Sequence, residues 1–305
     1  MKMREAITVR NLSYRYPDGT QALEDVNMEV YEGERIALVG PNGAGKTTFM
    51  LHLNGTLRGS EGQIEIFGKN LEKMKREEIV KEVGMVFQDP DDQLFMPTIF
   101  DDIAFGPINQ GLKEDEVRER VAKAISSLGL SGYEDKSPHH LSFGEKKKAS
   151  LAAVMAMEPR ILVLDEPTAN LDPRSRAELI GILNELNERE GITMVIVTHD
   201  VNAIPELADR IYTLNRTIIE TGTPREIFFD RTLLKQNNLD VPDVFKVFEV
   251  LRCFGVNCEK LPLSLDEAVS GLTKMIETEG GHIHLHIHEH THDEIEKWRS
   301  KYEHH

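Results

Sequence analysis

The chain has 305 residues, a formal net charge of −16, 40% hydrophobic and 29% charged residues. At roughly 150 residues per domain, this length suffices for one large core and a smaller second unit. The acidic balance disfavours broad binding to nucleic acid or anionic lipid, both of which need a basic face to displace phosphate counterions. No stretch approaches the ~18 uncharged apolar residues of a membrane helix. Residues Met1 to Glu5 are charged and run into a strand-like segment, so neither a signal peptide nor a transit peptide is expected.

Taken in chain order, Ile7 to Leu12 and Val26 to Tyr31 alternate apolar with polar residues, which predicts a half-exposed antiparallel sheet at the amino end. Strands are predicted at Arg35–Val39, Gln63–Phe67, Val83–Phe87, Ile161–Leu164 and Thr193–Thr198. They alternate with helical patterns over the first ~230 residues, the mark of an α/β domain. Ile161–Leu164 and Met194–Val197 are uninterrupted apolar runs, as expected of central strands covered on both faces. Asp101 to Met157 reads as an inserted helical subdomain, with Val117, Val121, Ala124 and Leu128 at helical spacing. After Pro224, helical patches punctuated by Pro242 and Pro262 suggest an appended domain. The expected division is 1–224, with a helical subdomain at about 89–157, then 225–281 and a tail at 282–305. Cys253 and Cys258 lack the paired CxxC units of a zinc site and read as reduced thiols in a packed segment.

Gly40, Pro41, Asn42, Gly43, Ala44, Gly45, Lys46, Thr47 and Thr48 satisfy the GxxxxGK[ST] phosphate loop between a strand and a helix. Glycines let backbone N–H groups wrap phosphates, Lys46 neutralises the β and γ groups, and the Thr47 hydroxyl suits Mg²⁺. A glycine-rich turn with a solvated lysine is the bland alternative, and it leaves the strand and helix context unexplained. The apolar strand Ile161–Leu164 ends in Asp165 and Glu166, at the sheet edge where α/β folds bind ligands. Asp165 would hold Mg²⁺ through water. Glu166 can reach the water attacking the γ-phosphate, as general base or as its orienting group. A strand-end turn before Pro167 is a poor alternative beside a phosphate loop. The chain is therefore expected to be an ATPase.

Asp165, Glu166, Pro167, Thr168, Ala169, Asn170, Leu171 and Asp172 resemble the Walker B and D-loop block of ABC ATPases. Leu141, Ser142, Phe143, Gly144 and Glu145 resemble their LSGGQ signature, departing from it at Phe143 and Glu145. Thr198, His199 and Asp200 stand at the family's switch histidine, Gln88 matches its Q-loop, and Tyr16 sits where an aromatic stacks on adenine. The matches run in family order from about residue 7 to about residue 222. The resemblance implies a P-loop NTPase core with an antiparallel β layer, an inserted helical subdomain and a small C-terminal helical extension. It also implies a head-to-tail dimer, in which the signature of one chain, with Ser142 and Gly144, closes over ATP held by the phosphate loop of the other, and it counts Asp172 among the nucleotide-binding residues. Glu166 and His199 would be catalytic, with Mg²⁺ on Thr47, Gln88 and Asp165. Ser142 is a good helix N-cap, and a helix start offers free N–H groups and a positive dipole end. Lys146, Lys147 and Lys148 in that first turn are unfavourable unless an anionic group lies nearby; the alternative is a solvated basic face.

Gln88, Asp89, Pro90, Asp91, Asp92, Gln93, Leu94 and Phe95, with Leu141–Lys148 and Ala156–Pro159, are similar to the ATPases of energy-coupling-factor transporters, above all the cobalt and nickel branch. The 95 positions from Lys46 to Leu141 leave no room for the long coiled coil of DNA-repair members, and no second phosphate loop marks a ribosome-associated one. The resemblance implies a dimer on the cytoplasmic face of the membrane, helped together by the C-terminal extension; a complete set of catalytic motifs favours a homodimer over a heterodimer with a related ATPase. It implies an integral membrane coupling subunit docked beside Gln88 and a substrate-binding membrane subunit, with no nucleic acid. Asp91, Asp92 and Phe95 would line the docking groove; an ordinary capped loop is the alternative.

His282, His284, His286, His288, His290 and His292 alternate along the tail, and an extended chain puts their imidazoles on one face. Imidazole without thiolate suits Ni²⁺, Co²⁺, Zn²⁺ or Cu²⁺; a flexible polar tail is the alternative. The terminal His304 and His305 are set aside. His52 reads as a packing residue, and His139 and His140 as loop polar groups. A vitamin importer of the same family and a soluble metal-responsive regulatory ATPase remain alternatives to a cobalt or nickel importer.

Overall fold

The computed structural model describes residues 4–59, 61–253, 260–275, 277–279 and 282–284. Cys258 and His286, His288, His290 and His292 lie outside the described residues. The chain divides into a unit spanning Met1–Leu239 and another spanning Asp240–His305.

In the first unit, β1 (Glu5–Arg15) and β2 (Gln21–Tyr31) lead into β3 (Arg35–Val39), the glycine-rich loop and α1 (Lys46–Leu53). Next come β4 (Glu61–Ile66), β5 (Lys69–Asn70), α2 (Arg76–Glu82) and β6 (Val83–Val86). Helices α3 (Ile99–Asn109), α4 (Glu114–Ser127) and α5 (Phe143–Met155) form the insertion. The chain returns through β7 (Ile161–Asp165), α6 (Pro173–Glu190), β8 (Thr193–Val197), α7 (Ile204–Leu207), β9 (Arg210–Asn215) and β10 (Thr217–Gly222). The unit ends in α8 (Pro224–Phe229) and α9 (Arg231–Gln236).

Among the described residues, one sheet has the order β10-β9-β3-β8-β7-β6, parallel except for the β9/β10 hairpin. A second sheet, β2-β1-β4-β5, is antiparallel throughout. The Gln63–Phe67 run thus belongs mostly to β4 of the antiparallel layer, beside β1, rather than to the parallel core.

Strand alternation divides the apolar residues between two cores. On β7 and β8, Leu162, Leu164, Met194 and Ile196 pack with α3, α4, α5 and α6. Their neighbours Ile161, Val163, Val195 and Val197 pack with α1 and the antiparallel layer. Both strands are therefore covered on both faces, which is why they read as unbroken apolar runs. Burying each such side chain contributes roughly 1.5–3 kcal/mol. Helix ends follow local chemistry: Asp172 caps α6 by accepting from the N–H groups of Arg174 and Ser175, Pro173 opens the helix, and Gly191 closes it at φ 68°.

In the second unit, α10 (Asp243–Cys253) and α11 (Leu265–Met275) are followed by β11 (Glu277–Glu279) and β12 (His282–His284). The two strands pair antiparallel, with Thr278 opposite Ile283. Lys246 ion-pairs with Asp240 at 2.7 Å and with Asp243 at 3.3 Å, which anchors the start of α10.

Candidate functional site

The glycine-rich loop leaves β3 at a point where only glycine fits. A Cβ on Gly40 would stand 2.0 Å from the Leu214 carbonyl oxygen of β9. Gly45 precedes α1 in the left-handed region, φ 97°, and a Cβ there would stand 2.4 Å from the Ala22 carbonyl oxygen. No side chain caps α1. Its first-turn N–H groups therefore face the loop, the arrangement that suits an anion. Lys46 Nζ donates to the carbonyls of Gly40 at 2.7 Å and Pro41 at 3.1 Å. Burial pushes the Lys46 pKa down, opposed by the carboxylates of Glu166 and Asp165.

Asn42, Gly43, Ala44, Gly45, Lys46, Thr47 and Thr48 line an open cleft of about 490 Å³, shared with Tyr16, Gln88, Asp165, Glu166 and His199. Gly40 and Pro41 form its base through the Lys46 bonds rather than its wall. The Tyr16 hydroxyl bonds Thr48 Oγ1 at 2.9 Å, and its ring meets Tyr14 edge-to-face at 5.1 Å. Behind them His52, 1% exposed, donates from Nδ1 to the Thr48 carbonyl and packs edge-to-face on Tyr14 at 4.7 Å. It is a packing residue under this end of the cleft. Thr20, Gln21, Ala22 and Arg216 also line this end. None of the four belongs to a motif that the sequence declares; Arg216 sits at φ 64° in the turn between β9 and β10.

The cleft also holds two carboxylates of different character. Asp165 is pushed above the usual carboxylate range, by burial first and by the Glu166 charge second, while Lys147 and Lys46 pull it down. Glu166 is 7% exposed and sits at φ 45°, left-handed backbone that costs a non-glycine residue about 1–3 kcal/mol. Its N–H donates to the Val197 carbonyl at 2.8 Å, and its own carbonyl accepts from Lys147 Nζ at 2.9 Å and from the Ala169 N–H at 3.2 Å. Its carboxylate accepts from Thr198 Oγ1 at 3.1 Å, the His199 N–H at 3.3 Å and His199 Nδ1 at 2.6 Å. The His199 ring is 75% exposed, so it is held at one nitrogen and open at the other end. Thr47, Gln88 and Asp165 offer hydroxyl, amide and carboxylate oxygen, a donor set that fits a hard cation such as Mg²⁺.

Ser142, Gly144 and Asp172 do not line this cleft. They gather outside it, around Ser175 and the start of α5. Ser142 caps α5 in a capping box with Glu145. A Cβ on Gly144 would stand 2.8 Å from Ser175 Oγ, and Ser175 Oγ donates to Asp172 at 2.6 Å. Glutamate in place of the signature glutamine serves the capping box equally well, since either side chain can accept from the cap. The Glu145 carboxylate accepts from the Tyr133 hydroxyl at 2.6 Å and from Ser142 N and Oγ at 2.7 Å each. Of the three lysines that follow, Lys146 pairs with Asp91 at 2.6 Å and Lys148 with Glu178 at 3.5 Å, partly exposed contacts of the kind that contribute little to stability. Lys147 is the buried one, 2% exposed.

Asp89 caps the turn Pro90–Asp92 by accepting from the Asp91 N–H. Beyond it Phe95 is 64% exposed, stacked edge-to-face on Phe105 at 5.2 Å, and Phe105 and Ile108 border a largely apolar groove of about 580 Å³. The Asp102 carboxylate holds this loop by accepting from the N–H groups of Phe95 and Met96. Burial raises its pKa. Among the described residues, no helix is long and apolar enough to cross a membrane, and no cluster of three or more His, Cys, Asp or Glu side chains is placed to hold a metal ion.

Residues 23–169 match the profile of the ABC transporter family. The chain is 48% identical over 273 residues to the energy-coupling factor transporter ATP-binding protein EcfA of Methanothermobacter thermautotrophicus, covering 88% of this chain and 87% of the relative. It is 45% identical to EcfA of Methanocaldococcus jannaschii, covering 80% and 88%. Among solved structures, cbiO1 of Clostridium perfringens, described as part of the ABC transporter complex cbiONQ, matches with a TM-score of 0.71 at 37% identity, covering 82% of this chain and 99% of that one. A dimeric ATP-binding cassette bound to ADP and Pi matches with a TM-score of 0.64 at 26% identity, covering 72% and 99%.

The Glu145 bonds make a pH prediction. Tyr133 and then Ser142 hold its carboxyl down at about 2, against an ordinary value of 4.5. A depressed carboxyl stabilises the fold fully above pH about 4.5, and that contribution drains away as pH falls toward about 2. Thermal melts of the Glu145→Gln variant should therefore lose less stability than wild type across this window; parallel curves would contradict the assignment.

Proposed function

The chain belongs to the ABC transporter ATP-binding family, in its energy-coupling-factor branch, and on that premise we propose that it energises an importer of cobalt or nickel ions by closing on ATP as a head-to-tail homodimer. The observation that carries this reading is the separation of two half-sites on one chain. The cleft holds the phosphate loop, Asp165, Glu166 and His199, while Ser142, Gly144 and Asp172 stand together elsewhere. Each half lacks what the other presents.

In the mechanism, backbone N–H groups of residues 42–48 wrap the phosphates and Lys46 exchanges its loop carbonyls for phosphate oxygens. Tyr16, anchored through Thr48, presents its ring to adenine. Thr47, Gln88 and Asp165 would hold Mg²⁺, which would screen the β and γ charge. The Glu166 carboxylate accepts the proton of the attacking water or orients it, and His199 fixes that carboxylate through Nδ1. The partner's α5 start brings Ser142 and its N–H groups to the γ-phosphate.

A membrane coupling subunit would dock on the apolar groove beside Phe105 and Ile108, which Asp101 also lines and against which the exposed Phe95 stacks through Phe105. That contact would keep the chain at the cytoplasmic face of the membrane. Cobalt or nickel as cargo rests on the alternating histidines of the tail.

Replacing Glu166 by Gln should lower ATP turnover by about 10²–10⁴-fold while ATP affinity stays within about twofold, measured by phosphate release and calorimetry; undiminished turnover would remove Glu166 from the catalytic role. For the cargo, calorimetric titration of Ni²⁺ and Co²⁺ into the intact chain and into one ending at Gly281 should give binding that vanishes with the tail. Equal behaviour of the two would reduce the tail to a linker and leave a vitamin cargo on an equal footing.

A further inference from the structure

Lys147 is a charged side chain with no assigned part in the site, and it lies wholly inside the protein. It stands in the first turns of α5, 2% exposed, five positions after the Ser142 cap. Burial of a lysine is costly unless its ammonium is used. Here Nζ passes the Phe143 ring at 5.8 Å and donates to the Glu166 carbonyl at 2.9 Å. Glu166 is the residue in left-handed backbone, and both of its peptide groups are held. Its N–H is tied to Val197 of β8, and its carbonyl to Lys147 of α5.

We propose that Lys147 is a positioning residue for Glu166, whose bond to the Glu166 carbonyl holds the strained backbone that aims the carboxylate at the attacking water. The inference rests on the reading of Glu166 as the catalytic base. Without the Nζ donor, the carbonyl keeps only the 3.2 Å bond from Ala169, and the peptide is free to rotate toward an unstrained conformation. That rotation carries the carboxylate away from Thr198 and His199. The charge of Lys147 is secondary. Burial holds its pKa down at about 8, opposed by Asp165, Glu166 and Asp89, yet a neutral amine still donates the same bond.

The test compares Lys147→Met, which keeps the apolar stem without a donor, with Lys147→Gln, which keeps an uncharged donor. Steady-state ATP hydrolysis by the full chain should show kcat about tenfold or more lower in the methionine variant, with KM within about twofold of wild type. The glutamine variant should regain at least about a third of the lost rate, and the Lys147→Met, Glu166→Gln double variant should be no slower than Glu166→Gln alone. If the methionine variant does not bind ATP, Lys147→Leu repeats the comparison. Wild-type kcat in a donor-free variant, a loss carried by KM, no rescue by glutamine, or a further loss in the double variant would each overturn the proposal. Wild-type turnover in Glu166→Gln would instead sink the reading of Glu166 beneath it.

Discussion

The site depends on the register of three neighbouring parallel strands. Leu38 of β3 pairs with Val197 of β8, and Val197 pairs with Asp165 of β7. The phosphate loop, the Asp165–Glu166 pair and the Thr198–His199 pair therefore leave the sheet from one row on one edge. Parallel direction puts all three exits on the carboxyl side, where ligands bind in α/β folds. Asp165 shares its face with Ile161 and Val163, the face covered by α1, so strand alternation alone delivers this carboxylate beside Lys46 and Thr47. A slip of one residue would send it to the opposite core and expose the apolar residues that define both.

Glu166 is where that alternation is broken. One residue past the strand, continued extended backbone would turn its side chain toward the helical core. The left-handed conformation at φ 45° redirects it to Thr198 and His199 instead. Such strain persists only where surrounding bonds over-determine it, and here they come from β8, from the turn at Ala169 and from α5. Helix α5 is thus tied to three parts of the fold through consecutive lysines: to Asp91 in the turn Pro90–Asp92, to the Glu166 carbonyl, and to Glu178 of α6. Its amino end carries Ser142 and Gly144, so one rigid element connects the exposed signature face to the buried carboxylate.

Much of this was legible in the residues because the signals were local. The phosphate loop, the unbroken run before Asp165 and the helical spacing of Glu114–Leu128 each declare themselves within a few residues, and α4 ends one residue short of that last range. Partners across the fold were not legible. Gln63–Phe67 reads as a strand from its own pattern, but nothing in it says that β1 rather than the parallel sheet is its neighbour. Three consecutive lysines read as a uniform basic stretch, and only the folded helix buries the middle one against the Glu166 carbonyl while its neighbours reach exposed acids. Strands β9 and β10 carry mixed patterns, with Arg210 opening the first and Glu220 inside the second, which hid the hairpin and with it Arg216 in the lining of the cleft.

The central claim is that each working site is assembled from two chains, and complementation tests it directly. A Lys46→Ala chain lacks the phosphate loop charge but keeps Ser142, and a Ser142→Arg chain has the reverse. Each alone should be inactive. Mixed equally, half the dimers pair the two kinds and contain one intact site of two, so ATP hydrolysis should recover to about a quarter of the wild-type rate. A mixture no more active than either variant alone would mean that the cleft works within a single chain.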